Sequence, residues 1–394
     1  MTGRQRLAIA GAGIGGLTAA LCLARAGFSV DVFERADALE EVGAGIQLSP
    51  NASRILIELG LEASLAPAVV APAGMDVRSG PSGSLIVAAE LGEAMARRHG
   101  APWWVVHRAD LLAALAAAAK ADPAIRIETG AMVQGVVPAD EGGGFMVLRD
   151  GDRPSSTAAA VIGADGIRSA VRAVLGEGEM PVFRQRVAWR ATLPMAAVPP
   201  ALRGDRLGLW LGPDAHLVHY PLRGGADFNV VVLLGEEHPV EGWRAPGDPA
   251  YLHRRLAGWS RLPRDLVGLV ADWQCWSLAD RATWYGRGEG AVTLLGDAAH
   301  AMLPFAAQGG AMAIEDAAVL ARACRARPDD LAGAFRAYER SRGSRVARVQ
   351  DLARRNGMIY HLAGPMAVAR DMAMRLLGGR GLIARQDWIY GFRA

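Results

Sequence analysis

Two glycine-rich segments almost three hundred residues apart carry the chemistry most legible in this chain. The first is G-A-G-I-G-G, Gly11 to Gly16. Its G-x-G-x-x-G spacing follows a short apolar run, Leu7–Ala10, and precedes a small-residue helix predicted over Leu17–Ala26. Glycines there permit a tight turn, close approach to a pyrophosphate and close packing of helix on strand, while the helix N-terminus faces the phosphate charge. Gly27 ends the helix, and a second strand, Ser29–Phe33, stops at Glu34. A carboxylate at that point accepts hydrogen bonds from both hydroxyls of an adenosine ribose and repels a 2′-phosphate. The expected ligand is therefore a dinucleotide of the FAD or NAD type, not NADP.

The second segment is G-D-A-A-H-A-M-L-P at 296–304, running into Q-G-G at 308–310. Gly296-Asp297 directly follows a buried strand predicted over Ala291–Leu295, where the aspartate can accept from a ribityl hydroxyl. Gln308-Gly309-Gly310 opens a helix whose amides and dipole favour negative charge. Reduced flavin carries such charge along its N1–C2=O edge. G-A-D-G-I-R-S at 163–169 places Asp165 at another strand end beside two glycines. Arg108, in H-R-A-D-L, begins a helix and is in position to reach a phosphate in company with the other motifs.

Composition narrows the field. The chain has 394 residues and a formal charge of +3, too weak a bias to argue for nucleic acid. Lys120 is the only lysine, so any Schiff-base or phosphate-loop lysine would have to be that residue. Cys22, Cys275 and Cys324 lack C-x-x-C spacing and predict neither a disulfide framework nor a metal site. No signal-peptide pattern and no bilayer-length apolar run is present, so the expectation is a soluble, cytoplasmic protein.

The elements that must position these residues suggest an α/β chain with more than one domain. Strand, glycine turn, helix and strand make one βαβ unit. Helices are expected at Pro50–Leu59 and Arg108–Lys120. Strands are expected at Ile125–Glu128, Val133–Val137, Phe145–Leu148 and Ala158–Ala164, with Gly142–Gly144 as a hairpin tip. From about 182 to 278 strand-like runs recur: Val187–Leu193, Leu207–Leu211, His216–Tyr220, Phe228–Leu234 and Trp273–Leu278. Turn signals separate them, as in a mostly antiparallel sheet. Met75–Val106 reads as extended and joins that sheet. From Ala311 the chain is helical nearly to its end. The expected division is a Rossmann-like cofactor domain of parallel sheet and helices at 1–74, 107–180 and 279–325. An antiparallel-sheet substrate domain occupies 75–106 and 181–278, and a helical segment 326–394.

Taken in order, G-A-G-I-G-G with Glu34-Arg35, G-A-G-I at 43–46, H-R-A-D-L, G-A-D-G-I-R-S and G-D-A-A-H-A-M-L-P with Q-G-G resemble a known family. It is the single-component FAD-dependent aromatic hydroxylases (group A flavoprotein monooxygenases), most closely the salicylate-hydroxylase-like branch. The resemblance covers about residues 5 to 360. It implies a resident FAD, with Gly11, Gly13, Ile14, Gly15, Gly16 and Gly45 around it. Glu34 and Arg35 would hold the ADP ribose, and the Val133 backbone the adenine. Arg108 would reach the pyrophosphate–ribityl region. Asp165 would support both the pyrophosphate and nicotinamide docking. Asp297 would bind the ribityl chain, and Gly309 and Gly310 the isoalloxazine. NADH or NADPH would visit as transient electron donor, consistent with a single G-x-G-x-x-G.

The implied reaction is hydride transfer to FAD, reaction with O2 to a C4a-hydroperoxide, and attack by a phenol-like ring. His216, Val218 and Tyr220 share one strand face by period two, and His219 points to the other. Members of this branch carry a His and a Tyr at matching spacing, so His216 and Tyr220 are the expected catalytic pair, orienting and deprotonating the substrate hydroxyl. His300 is expected to be structural, and Pro304 to lie above the flavin ring. Gln47 stands where hydroxynicotinate-type relatives place a histidine, and Phe305 where salicylate-type relatives often do. Arg190 and Arg223 are candidates to pair with a substrate carboxylate. Two rival readings stay open: a same-family oxygenase or epoxidase acting on a non-aromatic or larger substrate, and a non-catalytic flavin-binding protein. Monomer and homodimer both suit the pattern, and it leaves open whether hydroxylation is decarboxylative.

Overall fold

Short apolar strands with both faces covered build the first sheet. In a computed structural model, which describes residues 4–39, 44–139, 143–150, 155–176, 179–242, 244–286, 288 and 290–394, its order is Val292–Leu294, Ala160–Gly163, Arg6–Ala10, Ser29–Phe33 and Ile125–Glu128. All four pairings are parallel. The register aligns Ala10 with Gly163 and Gly163 with Leu294. Three strands distant in sequence thus end on one edge, and their exits are the three glycine motifs: Gly11–Gly16, Gly163–Gly166 and Gly296–Asp297. Ligands of open α/β sheets bind outside such carboxyl ends.

Gly11 has φ +101, and a β-carbon on it would stand 2.5 Å from the Ala164 carbonyl oxygen. The Gly11–Gly16 and Gly163–Gly166 motifs therefore touch through a position only glycine can fill. The helix Ile14–Arg25 follows, and Gly309–Ala326 packs against the same core.

The second sheet has eight strands in the order Arg244–Gly247, Trp273–Asp280, Val182–Pro194, Asp227–Gly235, Ala215–Leu222, Arg206–Gly212, Gly74–Ser79 and Leu85–Glu90. It is antiparallel apart from the pair Arg206–Gly212 and Gly74–Ser79. Alternation sorts its side chains. Leu217, Val230 and Val232 join a buried cluster with Leu252, Trp259 and Leu266 from the helices Pro249–Arg255 and Arg261–Gly268 and the turn between them. Their neighbours His216, Val218, Tyr220, Val231 and Leu233 face a cavity on the other side.

Two expectations needed correction. Met75–Val106 is not extended throughout. Gly92–His99 is a helix, anchored by buried Leu91 and Met95 and closed by Gly100 at φ +75. Trp104–His107 leaves the large sheet to pair with Gly45–Leu48. The strand expected over Ala158–Ala164 divides at Ala159. Ala158 pairs with Phe145 in a three-stranded antiparallel sheet, and Ala160 pairs with Leu7 in the parallel one. The two helices at Pro249–Arg255 and Arg261–Gly268 lay unread among strand signals. Gly142 of the expected hairpin tip lies outside the described residues. Gly143 and Gly144 have φ of +74 and +97, as a turn needs.

Past Ala326 come the helices Leu331–Tyr360 and Gly364–Ala384. Among the described residues, no helix is long and apolar enough to cross a membrane.

Candidate active site

The sheet edge that collects the glycine motifs opens onto a cavity of about 420 Å³. Gly13, Ile14, Gly15, Gly45, Arg108, Asp297, Gly309 and Gly310 line it at the sheet edge, and Arg190, His216 and Tyr220 line it on the face of the second sheet. Residues expected from separate motifs thus meet in one space.

At the loop end, the helix Ile14–Arg25 starts without a side-chain cap and without an acidic residue in its first turn. Its amides are left to a ligand's negative charge. Glu34 is held beside the loop: Oε2 accepts from the Ala12 amide at 2.8 Å and Oε1 from the Ala36 amide at 3.0 Å. The Ala131 amide donates to the Glu34 carbonyl at 2.7 Å, which brings Val133, at the start of Val133–Pro138, close to Glu34. Arg35 is exposed next to them. Glu34, Arg35 and Val133 lie beyond the cavity lining.

Asp165 sits between two lining residues, Ala164 and Gly166. Its Oδ2 accepts from the Ala170 and Val171 amides at 2.7 and 3.2 Å. Its Oδ1 is buried with no protein partner. Burial raises its pKa, against the pull of Ser169 and these amides. A buried acceptor left over beside a phosphate-binding loop is what an absent ligand's donor leaves behind.

The helix Gly309–Ala326 also starts without a side-chain cap or an acid in its first turn. A buried polar network aims it. Gln308 Nε2 donates to Ser49 Oγ at 2.8 Å, and Asn51 Nδ2 to Gln308 Oε1 at 3.1 Å and Glu315 Oε1 at 2.7 Å. Asp316 accepts from the Gly296 amide at 3.1 Å, pairs with His300 at 2.5 Å and takes Arg342 Nε at 2.7 Å. Burial alone would raise Asp316, yet His300 and Arg342 hold it at about 2. His300 is therefore structural, as expected. Asp316, Glu315 and Arg342, which the motifs did not single out, fix the turn that presents Asp297.

The substrate side is built by the strand Ala215–Leu222. His219 points away and packs on Phe228 and Trp210. His216 is buried, with Nδ1 2.8 Å from Nε2 of His361. Burial, then His361 and Arg186, lower its pKa well below 6.5, so the ring is neutral. Burial raises the Tyr220 phenol, with Arg190 and Arg108 opposing. Arg190 lines the cavity with its guanidinium 5.2 Å from the centre of the Trp276 ring. Gln47, Val218, Val231, Leu233, Leu278, Met302 and Pro304 complete a mostly apolar wall.

Phe305 does not line the cavity. It packs behind it, its ring centre 5.3 Å from that of His216. Arg223 is corrected too: it is a surface residue paired with Asp110 at 2.9 Å and Asp227 at 3.0 Å. His361 was missed. It caps the helix Leu331–Tyr360, and no local pattern links it to a strand 145 residues earlier.

Two uncapped helix starts, an orphaned Asp165 oxygen and Asp297 on the cavity wall suit a bound FAD. Glu34 and Val133 would meet its adenosine, Gly11–Gly16 and Arg108 its pyrophosphate, Asp297 its ribityl chain, and Gly309 and Gly310 its ring.

Comparison with known proteins agrees. The FAD binding domain family model matches residues 4–353. A 3-hydroxybenzoate 6-hydroxylase of Polaromonas naphthalenivorans is 35% identical over 384 residues, covering 98% of this chain and 95% of the relative. A 3-amino-4-hydroxybenzoate 2-monooxygenase of Streptomyces platensis is 36% identical over 394 residues, covering 99% and 97%. Among solved structures, Klebsiella pneumoniae HpxO complexed with FAD and uric acid aligns with a TM-score of 0.84 at 26% identity, over 98% of this chain and 96% of that one. The glycine motifs, the cavity they share and these relatives lead to one conclusion: the chain belongs to the single-component FAD-dependent aromatic hydroxylases.

Proposed function

We propose that this chain hydroxylates a small phenolic acid of the hydroxybenzoate type, with NADH or NADPH as electron donor and O2 as the source of oxygen. The observation that carries the reading is the placement of neutral His216 and Tyr220 on one wall of the cavity that Gly309, Gly310 and Asp297 also line. A bound FAD, held by Gly11–Gly16, Asp297, Gly309 and Gly310, would supply the redox chemistry: electrons from the nicotinamide and O2 would give one oxygen atom to the ring and one to water.

The side chains of the chain supply the rest. His216, neutral with Nδ1 turned to His361, leaves Nε2 to accept the phenolic proton. Tyr220, kept protonated by burial, donates a hydrogen bond to the phenolate oxygen. Arg190 pairs with the substrate carboxylate while resting on Trp276. Val218, Val231, Leu233, Leu278, Met302 and Pro304 hold the ring and exclude water. The names of the two curated relatives, which act on a hydroxybenzoate and an aminohydroxybenzoate, support a phenolic acid. Three unpaired cysteines suit a reducing, cytoplasmic setting.

The reading is tested by titrating the FAD-loaded protein with hydroxybenzoates and with uric acid, following the flavin spectrum. A hydroxybenzoate should perturb it and appear as phenolate. Perturbation by uric acid alone would replace the phenolic acid with a purine-like heterocycle.

A further inference from the structure

His361 belongs to none of the motifs, yet it is the hydrogen-bond partner of His216. Its Nε2 meets His216 Nδ1 at 2.8 Å, deep inside the protein. Its Nδ1 is buried without a hydrogen bond and lies 3.8 Å from Asp214 Oδ1. Asp214 sits at the turn entering the strand of His216, and its side chain is 55% exposed. The two residues are also tied through their backbones, since the Asp214 amide donates to the His361 carbonyl at 3.2 Å. A line of ring nitrogens therefore runs from the cavity toward a solvated carboxylate, hydrogen-bonded between the two rings and with a 3.8 Å gap at its outer end.

The surroundings favour passage over storage. Burial is the main cause lowering the basicity of both imidazoles, and Arg186, on the strand Val182–Pro194 and 3.8 Å from Asp214, lowers it further. Arg370, from the helix Gly364–Ala384, also lowers that of His361. Arg255 pairs with Asp214 at 3.2 Å. Tyr360 and Phe305 close the apolar sides of His216. A proton arriving on either ring finds cations around it and one outward carboxylate.

We propose that His216, His361 and Asp214 form the path by which the substrate's phenolic proton leaves the cavity. The proposal rests on the reading of His216 as the base. The phenol O–H bond breaks and an N–H bond forms at His216 Nε2. The His216 Nδ1 proton passes to His361 Nε2, and the His361 Nδ1 proton to Asp214 and then water. Both rings end in the other tautomer. Return of one proton along the same groups, when product leaves as a neutral phenol, restores them. His361 touches no substrate; it is a positioning and relay residue.

The test uses the oxidised FAD-loaded protein mixed rapidly with 3-hydroxybenzoate at pH 7, without reductant. Phenolate absorbance and proton release to an indicator dye are followed together. In the unmodified protein both should appear at one rate. His361→Phe and His361→Gln should each slow proton release at least tenfold with FAD content unchanged, and Asp214→Asn should slow it in a way that added imidazole buffer reverses. His216→Ala should abolish phenolate formation. Release at the unmodified rate in both His361 variants, with His216→Ala still inactive, overturns the relay and leaves the base in place. Phenolate formation surviving in His216→Ala, or absent from the unmodified protein, overturns both.

Discussion

The ring of Tyr220 lies against Gly45 so closely that a β-carbon built there would stand 2.4 Å from its Cε2 and 2.9 Å from its hydroxyl oxygen. The Gly45 amide donates to Asn229 Oδ1 at 2.8 Å, and Asn229 is the cross-strand partner of Tyr220. The short strand Gly45–Leu48 is thereby locked onto the strand Ala215–Leu222 and its neighbour Asp227–Gly235. Gly45→Ala should push the Tyr220 ring from its place. Substrate-dependent NAD(P)H oxidation per bound FAD should drop about tenfold or more, equivalent to about 1.4 kcal/mol. Loss of FAD with an unchanged rate per bound FAD would place the role of Gly45 at the cofactor.

His216→Ala and Tyr220→Phe should keep FAD but lose hydroxylation. Removal of a general base typically costs about 10² to 10⁴ in rate. The check is the ratio of product formed to NAD(P)H consumed. Unchanged coupling in both variants would reject this pair.

Asp297→Ala should act on the cofactor instead. Asp297 lines the cavity three positions past the end of the strand Val292–Leu294. A hydrogen bond to a charged group contributes about 1.5–3 kcal/mol, so FAD affinity should fall about 10- to 100-fold. Fluorescence titration of the apoprotein with FAD measures it.

Asp316→Asn should damage the fold. Arg342 is fully buried and paired with both Asp316 and Glu315. Breaking a buried ion pair by removing one partner costs about 3–5 kcal/mol. The urea midpoint should drop accordingly, and FAD binding should weaken through the Gly296 turn. A midpoint matching the unmodified protein would show that the network is dispensable.

Acid should destabilise the protein through its buried histidines. Burial is the main cause lowering His216, His219 and His361, the latter two to about 3. In the unfolded chain each titrates near its ordinary value of about 6.5. Between these values the unfolded chain binds more protons, so this stability is fully present above about pH 6.5 and is lost as pH falls. Each histidine contributes up to about 1.4 kcal/mol per pH unit. Urea midpoints at pH 7 and pH 5 should show the loss, and His361→Gln should reduce it. An identical pH dependence in the variant would contradict the neutral buried state of His361.

The cofactor site was legible because each of its pieces is local. A strand end followed by glycine and a carboxylate reads the same in a short window as in the folded sheet, and parallel pairing brings Gly11, Gly163 and Gly296 to one edge. Strand periodicity likewise separated His216 and Tyr220 from His219. What could not be read depends on contacts between distant segments. The helical segment after Ala326 gave no sign that His361 ends beside His216, or that Arg342 anchors the turn before Asp297. Arg223 looked like a substrate partner in the chain, but Asp110 is its neighbour only after folding.

The central claim is flavin-dependent hydroxylation of a phenolic acid, and turnover tests it most directly. The purified protein, reconstituted with FAD, is given NADH or NADPH, O2 and a panel of hydroxybenzoates, with reduced-nicotinamide oxidation and product identity followed together. The account predicts a yellow flavoprotein whose nicotinamide oxidation is stimulated by at least one hydroxybenzoate, with one hydroxyl group added per turnover. Failure to hold FAD after reconstitution, or bound FAD with no aromatic compound stimulating oxidation, would contradict it.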